Sequence, residues 1–110
     1  MPLLAIGLGC SIAPRTFRGL AHPAPIVRAR SVALGENLPE RQVVPQLIER
    51  LNDADAVVRL TAFEELRHLT GQDFGYIPWA DAGERAPAVA RWRGWWNSRK
   101  ATLAKSGRIP

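Results

Sequence analysis

The sequence predicts an all-α domain, and three stretches with helical spacing of their apolar residues carry that prediction. The first two lie at 43–51 and 56–69 and are separated by the polar segment 52–55. The third stretch, 84–100, carries three tryptophans on one broad face. Apolar residues that recur at i, i+3, i+4 and i+7 line one side of an α-helix. The expected architecture is therefore a single helical hairpin packed by a C-terminal tryptophan-rich helix, with an irregular N-terminal segment before it.

Length and composition limit the chain to one small domain without disulfides. It has 110 residues, a net charge of +5 and a single cysteine, Cys10, which excludes an internal disulfide framework. Two scattered histidines do not provide a zinc site, and we expect neither a metal nor a cofactor. The chain has no glycine-rich phosphate loop, no CxxC motif and no paired-histidine spacing. We therefore do not expect an enzyme.

The first helix of the hairpin is indicated by Val44, Leu47, Ile48 and Leu51, which form one apolar stripe. Pro45 lies near its start, where a missing N–H costs little. The sequence leaves open whether 40–51 forms one helix with a proline inside it or two pieces.

The second helix is predicted from Ala56 to His68, with an apolar stripe that continues to Leu69. Asp53 and Asp55 precede it and provide acceptors for the unpaired N–H groups of a helix start. Gly71 follows it and suits a left-handed helix end.

This hairpin resembles a HEAT repeat, because an Asp-x-Asp-x-x-Val-Arg core lies at the family's distance from two leucine stripes. The matching positions are Pro45, Leu47, Leu51, Asp53, Asp55, Val58, Arg59, Ala62, Leu66 and Leu69. The resemblance implies an armadillo-like α-α superhelix in which Asp53 and Arg59 make polar contacts along a stack; the alternative is that Arg59 is simply solvated. HEAT hairpins usually occur in arrays, since one hairpin cannot bury its own apolar faces. No second copy is recognised in the sequence, so we expect the C-terminal third to cover the hairpin.

Aromatic residues dominate that C-terminal third. We expect the loop 72–83 to dock across the open face of the hairpin, rather than to form a ligand pocket, and the helix 84–100 to complete the core. The residues assigned to this packing are Phe74, Tyr76, Trp79, Trp92, Trp95 and Trp96. The alternatives are a helix lying on a membrane and tryptophans that stack on nucleic-acid bases. The segment also resembles the tail of small HEAT-repeat proteins of planctomycete-like bacteria, many of them predicted lipoproteins.

Basic residues concentrate at the C-terminus. The stretch 84–110 has seven basic residues and one acidic residue, whereas 39–74 is net acidic. The surface candidates are Arg91, Arg93, Arg99, Lys100 and Lys105, and 101–110 is expected to be a frayed basic tail. One interpretation is that these charges are simply a solvated face. The alternative function that they suggest is binding of nucleic acid or of an anionic membrane surface.

The N-terminal segment 1–12 is apolar and uncharged, and it resembles the end of a bacterial lipoprotein signal peptide with Cys10 as the lipidated residue. It departs from that pattern because Gly7 replaces the usual leucine and no basic region precedes the apolar run. Two locations follow: the cell envelope, or the cytoplasm if Met1 is the true start. Residues 13–37 include several prolines and are predicted to be a linker before the helical domain 38–100, with a short strand or a helical turn as the alternatives for 26–32.

Taken together, the sequence predicts a non-catalytic module of the HEAT-repeat type that acts as a scaffold or binds another protein, with a candidate membrane anchor at Cys10. A helical face would offer apolar and charged contacts to that partner. The sequence does not identify the partner.

Overall fold

Four α-helices and two short 3₁₀ helices make up the part of the chain that the computed structural model describes, residues 17–35 and 38–107. This part contains no strand, so the all-α prediction is confirmed. The 3₁₀ helices span Phe17–Ala21 and Val32–Gly35. The α-helices are α1 (Pro25–Ser31), α2 (Glu40–Arg50), α3 (Ala56–Thr70) and α4 (Ala82–Lys105).

Helices α2 and α3 pack against each other across a short turn. Helix α2 is one continuous helix with Pro45 inside it, which resolves the alternative that the sequence leaves open. Asp55 caps α3 as predicted, because its side chain accepts hydrogen bonds from the backbone N–H groups of Val57 and Val58. Gly71 ends α3 in the left-handed conformation with φ of 75°.

Each helix of the hairpin packs against one further helix. Helix α1 packs against α3, and α4 packs against α2. One apolar core runs through α2, α3 and α4 and includes Leu20 and Val32 from the two 3₁₀ helices. Its largest buried members are Leu47, Leu51, Phe63, Leu66, Tyr76, Trp92 and Trp96. The tryptophan-rich helix therefore completes a core that the hairpin alone would leave open to water.

The linker prediction for 13–37 is wrong for the described residues 17–35, which are helical and packed. Leu20 and Val32 are buried in the main core. Phe17 also packs against that core, and its ring lies so close to Gly35 that an added Cβ there would come within 2.6 Å of it. Burial of these apolar side chains offsets the weak local helix signal, so tertiary contacts rather than periodicity fix this segment.

Helix α4 is longer at both ends than predicted. It begins after Asp81, whose side chain accepts from the backbone N–H of Glu84 while the Glu84 carboxylate accepts from the Asp81 N–H. This capping box fixes the helix start two residues before the predicted one. At the other end the helix continues through Lys105, so the first half of the predicted basic tail is helical.

Candidate functional site

A buried carboxylate occupies the turn between α2 and α3. Asp53 is 6% exposed and accepts two hydrogen bonds from Arg28, at 2.7 Å from Nε and 2.8 Å from Nη2. Arg50 Nη1 adds a third contact at 3.1 Å, and the backbone N–H of Asp55 a fourth at 2.9 Å. A bidentate arginine and a second cation make this a strong charge-assisted arrangement. The predicted stacking residue Asp53 thus joins α1 to the hairpin.

The pKa of Asp53 reflects two opposing effects. Burial by itself raises the pKa of this carboxyl, because the charged form loses water. The hydrogen bonds from Arg28 and from the Asp55 N–H, with the positive charges of Arg28 and Arg50, outweigh burial and hold the pKa below its ordinary value of 3.8. Asp53 is therefore charged at neutral pH, and both arginines are satisfied by it.

Arg28 and Arg59 make the same local contacts at the starts of α1 and α3. Each is the fifth residue counted from the N-cap residue of its helix. Nη1 of Arg28 donates to the carbonyls six and five residues before it, His22 and Pro23, each at 2.8 Å. Nη1 of Arg59 donates to the equivalent carbonyls, Asp53 at 2.7 Å and Ala54 at 3.1 Å. We call this arrangement the arginine clamp.

Both clamps also contact a later part of the chain. Nε of Arg28 donates to Asp53, and Nε of Arg59 donates to the carbonyl of Pro78 at 2.7 Å. Arg28 therefore joins the start of α1 to the turn between α2 and α3, and Arg59 joins the start of α3 to the loop between α3 and α4. The positions three and four residues after each clamp arginine are also buried: Ser31 at the end of α1 and Val32 at the start of the second 3₁₀ helix, and Ala62 and Phe63 in α3. Helix α1 is thus a local counterpart of α3.

A third arginine, Arg85, occupies the fifth position from Asp81 at the start of α4. It is 7% exposed, and its Nε and Nη1 atoms are buried without a hydrogen-bond partner. The clamp is therefore complete at α1 and α3 and incomplete at α4.

The predicted aromatic residues divide into an inner group and one exposed member. Tyr76 is buried and donates to the Leu51 carbonyl at 2.6 Å. The Phe74 and Trp92 rings meet edge to face, with centroids 4.8 Å apart. Trp96 is buried, and Trp95 packs against the core from its edge. Trp79, in contrast, is 73% exposed, so its predicted place in the packing is wrong.

Three of the predicted basic residues are held by contacts within the molecule. Arg99 forms a bidentate pair with Glu40 at 2.8 and 3.2 Å, and Arg93 contacts Glu49 at 3.2 Å. Arg91 donates to the Phe74 carbonyl at 2.9 Å. Lys100 and Lys105 are exposed. Arg93 and Arg99 thus link α4 to the glutamates of α2 at the surface.

Exposed apolar side chains collect at the end of the molecule where α1, α3 and α4 begin. Ile26 and Val57 line one shallow groove together with Asp55. The bond from Arg59 to Pro78 brings Ile77 and Trp79 to the same end. We call these four apolar residues, with the three carboxylates Asp55, Asp81 and Glu84, the turn edge. The sequence carried no clear signal for it, since Ile77 and Trp79 are as apolar as their buried neighbours Tyr76 and Pro78.

Within 17–35 and 38–107, no group of three or more His, Cys, Asp or Glu side chains is placed to hold a metal ion. Among the helices described, none is both long and apolar enough to cross a membrane. The candidate lipidation site, Cys10, lies outside the described residues.

Comparison with family models, with curated proteins and with solved structures gives no match for this chain.

Proposed function

We propose that the protein is a non-catalytic interaction or scaffold module of the HEAT-repeat type that binds another protein. The observation that carries this proposal is the repeated arginine clamp, with Arg28 of α1 bonded to Asp53 of the following turn. Polar contacts between an aspartate after one helix and an arginine early in another are what the resemblance implies for a stack. On this view α1 is the second helix of a preceding unit, and α4 is the first helix of a following one.

The packing order supports the same proposal. In a stack of helical hairpins, each helix contacts its counterpart in the neighbouring unit. Here α1 packs on α3, and α4 packs on α2. Such stacks offer extended surfaces on which partner proteins bind.

The contacts of the basic residues favour a protein partner over nucleic acid. Arg93 and Arg99 are already paired with glutamates, and Arg91 with a main-chain carbonyl. A phosphate backbone would have to displace these contacts before binding there. A protein partner can instead bind the exposed apolar surface, because protein–protein interfaces are enriched in aromatic side chains and arginine.

The test combines cross-linking in the source organism with a direct titration. A cross-linked protein is identified, purified and titrated against the chain at 50 and 200 mM salt. We expect its affinity to fall by far less than the roughly 10³-fold typical of nucleic-acid binding, because an apolar centre responds weakly to salt. Duplex DNA and RNA are titrated in parallel. Tight nucleic-acid binding that weakens by about 10³-fold over the same salt range would contradict the proposal.

A membrane anchor at Cys10 stays part of this proposal. Lipidation would remove the residues before Cys10 and add acyl mass to it. We expect intact-mass measurement and detergent partitioning of the protein made in its source organism, from the full upstream reading frame, to detect that change. An unprocessed chain that stays in the aqueous phase would remove the anchor and leave the interaction role in place.

A further inference from the structure

The loop between α3 and α4 holds Ile77 and Trp79 outward on a firmly fixed backbone. Three alternate residues of the loop are anchored. The Phe74 ring packs against the Trp92 ring, the Tyr76 hydroxyl donates to the Leu51 carbonyl, and the Pro78 carbonyl accepts from Arg59. Ile77 lies between Tyr76 and Pro78, Trp79 follows Pro78, and both side chains are exposed. The loop therefore presents a large aromatic side chain on a backbone that is already ordered.

An ordered, exposed tryptophan is well suited to binding. Tryptophan is among the residues that contribute most to protein interfaces, because it buries a large rigid area. A fixed backbone also reduces the ordering cost of association. Ile26 and Val57, at the starts of α1 and α3, extend the apolar area along the same end of the molecule.

The charges at the turn edge are acidic. Asp55, Asp81 and Glu84 use their carboxylates to accept backbone N–H groups at the helix starts. None of the three forms an ion pair with a lysine or arginine of residues 17–35 or 38–107. Among the nearby arginines, Arg28 is paired with Asp53 and Arg85 is only 7% exposed, whereas Arg59 is half-buried and keeps its charge while it binds main-chain carbonyls. The exposed charges are those of Asp81 and Glu84, with Asp55 half-buried, and they favour a positively charged partner.

We propose that the turn edge is the docking surface for a basic, apolar segment of the partner protein, with Trp79 as its anchor. This inference rests on the proposed interaction role and names the chemistry of the partner. Apolar side chains of the segment would cover Trp79 and its neighbours. Lysine or arginine side chains beside them would pair with the three carboxylates. A nucleic-acid strand does not fit, because its phosphates would meet like charge.

The experiment uses a synthetic amphipathic peptide of lysine and leucine, with a glutamate–leucine peptide of the same length as its counterpart. The full chain is labelled with ¹⁵N and titrated with each peptide. We expect the lysine–leucine peptide to shift the Trp79 indole signal, assigned from a Trp79→Phe sample, and the amides at the starts of α1, α3 and α4. We expect the glutamate–leucine peptide to leave these signals in place.

Two variants separate the apolar and the charged contributions. Trp79→Ser should weaken binding of the lysine–leucine peptide by roughly tenfold or more. The combined variant Asp55→Asn, Asp81→Asn and Glu84→Gln keeps the helix caps, since Asn and Gln also serve at these positions. It should weaken binding and reduce the salt dependence. Equal unfolding midpoints for the variants and the parent chain would show that the fold is intact.

Matched controls come from the other end of the molecule. Leu38→Ser removes an exposed apolar side chain outside the turn edge, and Asp73→Asn removes an exposed carboxylate near the C-terminal end of α3. Both should bind the lysine–leucine peptide as the parent chain does.

Several results would overturn the inference. Unchanged binding by Trp79→Ser and by the neutralised variant would place the peptide elsewhere, while the proposed interaction role would stand. Equal binding of both peptides would remove the charge argument. A Trp79-dependent dimer, detected by light scattering, would assign the edge to a second copy of the chain. Tight duplex binding that weakens steeply with salt would instead contradict the interaction role itself.

Discussion

Trp92→Ala is expected to lower the free energy of unfolding by about 3–5 kcal/mol, the range for removing a large aromatic side chain from a core. Trp92 is fully buried at the centre of the cluster that joins α4 to the hairpin. It meets Phe74 edge to face, and Trp95 at a centroid distance of 6.1 Å. The free energy of unfolding of a native protein is only about 5–15 kcal/mol, so this loss is a large fraction of the stability of the domain.

The comparison variant is Trp79→Ala, which removes the same side chain from an exposed position. We expect a change within about 0.5 kcal/mol, as for surface sites without special contacts. Urea denaturation followed by far-ultraviolet circular dichroism measures both variants without relying on tryptophan fluorescence. Similar losses for the two variants would mean that Trp92 is not the centre of the core.

Local signals in the sequence were enough to predict the hairpin. The stripes of Leu47 and Leu51 and of Ala62 and Leu66 fix the buried faces of α2 and α3. The start of α3 also follows from local chemistry, because Asp55 can accept the first free N–H groups of a helix. The helical character and apolar face of α4 followed in the same way from the spacing of its tryptophans.

The N-terminal helices could not be predicted in this way, because their stability comes from distant contacts. Helix α1 has only seven residues, too few for a periodic pattern, and is fixed by the bond from Arg28 to Asp53, which lies 25 residues away. One signal was present, since Val27 and Arg28 repeat as Val58 and Arg59 at the same distance from their helix starts. Aligning the chain by helix starts rather than by apolar stripes would have found it.

The position of Trp79 shows a second limit of local reasoning. An aromatic loop beside an open hairpin predicts docking, and Phe74 and Tyr76 do dock. Which members of the loop face inward depends on its tertiary anchors, such as the bond from Arg59 to Pro78. Composition alone cannot distinguish a buried tryptophan from an exposed one, and the turn edge was therefore not predicted.

Asp53→Ala should be the other strongly destabilising substitution, with a loss of about 3 kcal/mol. Breaking a buried ion pair from one side leaves its partner charged and unpaired, which typically costs 3–5 kcal/mol. The partners here differ in burial, since the side chains of Arg28 and Arg50 are 12% and 28% exposed, and the lower end of that range is expected. The variant also removes the acceptor for the Asp55 N–H, which loosens the turn before α3.

Glu64→Ala provides the matched surface control. Its pair with Arg67 is long, at 3.5 Å, and both side chains are about half exposed. Exposed pairs of this kind contribute about 0–1 kcal/mol. We therefore expect a small change at most in the urea midpoint. If Asp53→Ala behaved like Glu64→Ala, the Asp53 pair could not be what attaches α1 to the hairpin.

Acid titration gives an independent check on Asp53, because its pKa is lower in the folded chain than its ordinary value of 3.8. A carboxyl with a depressed folded pKa stabilises the fold fully above its unfolded pKa, and this stability is lost as the pH falls through the folded pKa. Asp53→Asn cannot ionise and never has that contribution. The stability difference between the parent chain and Asp53→Asn should therefore be constant near neutral pH and shrink below about pH 4. A stability difference that stays constant through acid pH would mean that the charge of Asp53 does not stabilise the fold. Asp53 would then join Arg28 and Arg59 through its hydrogen bonds alone.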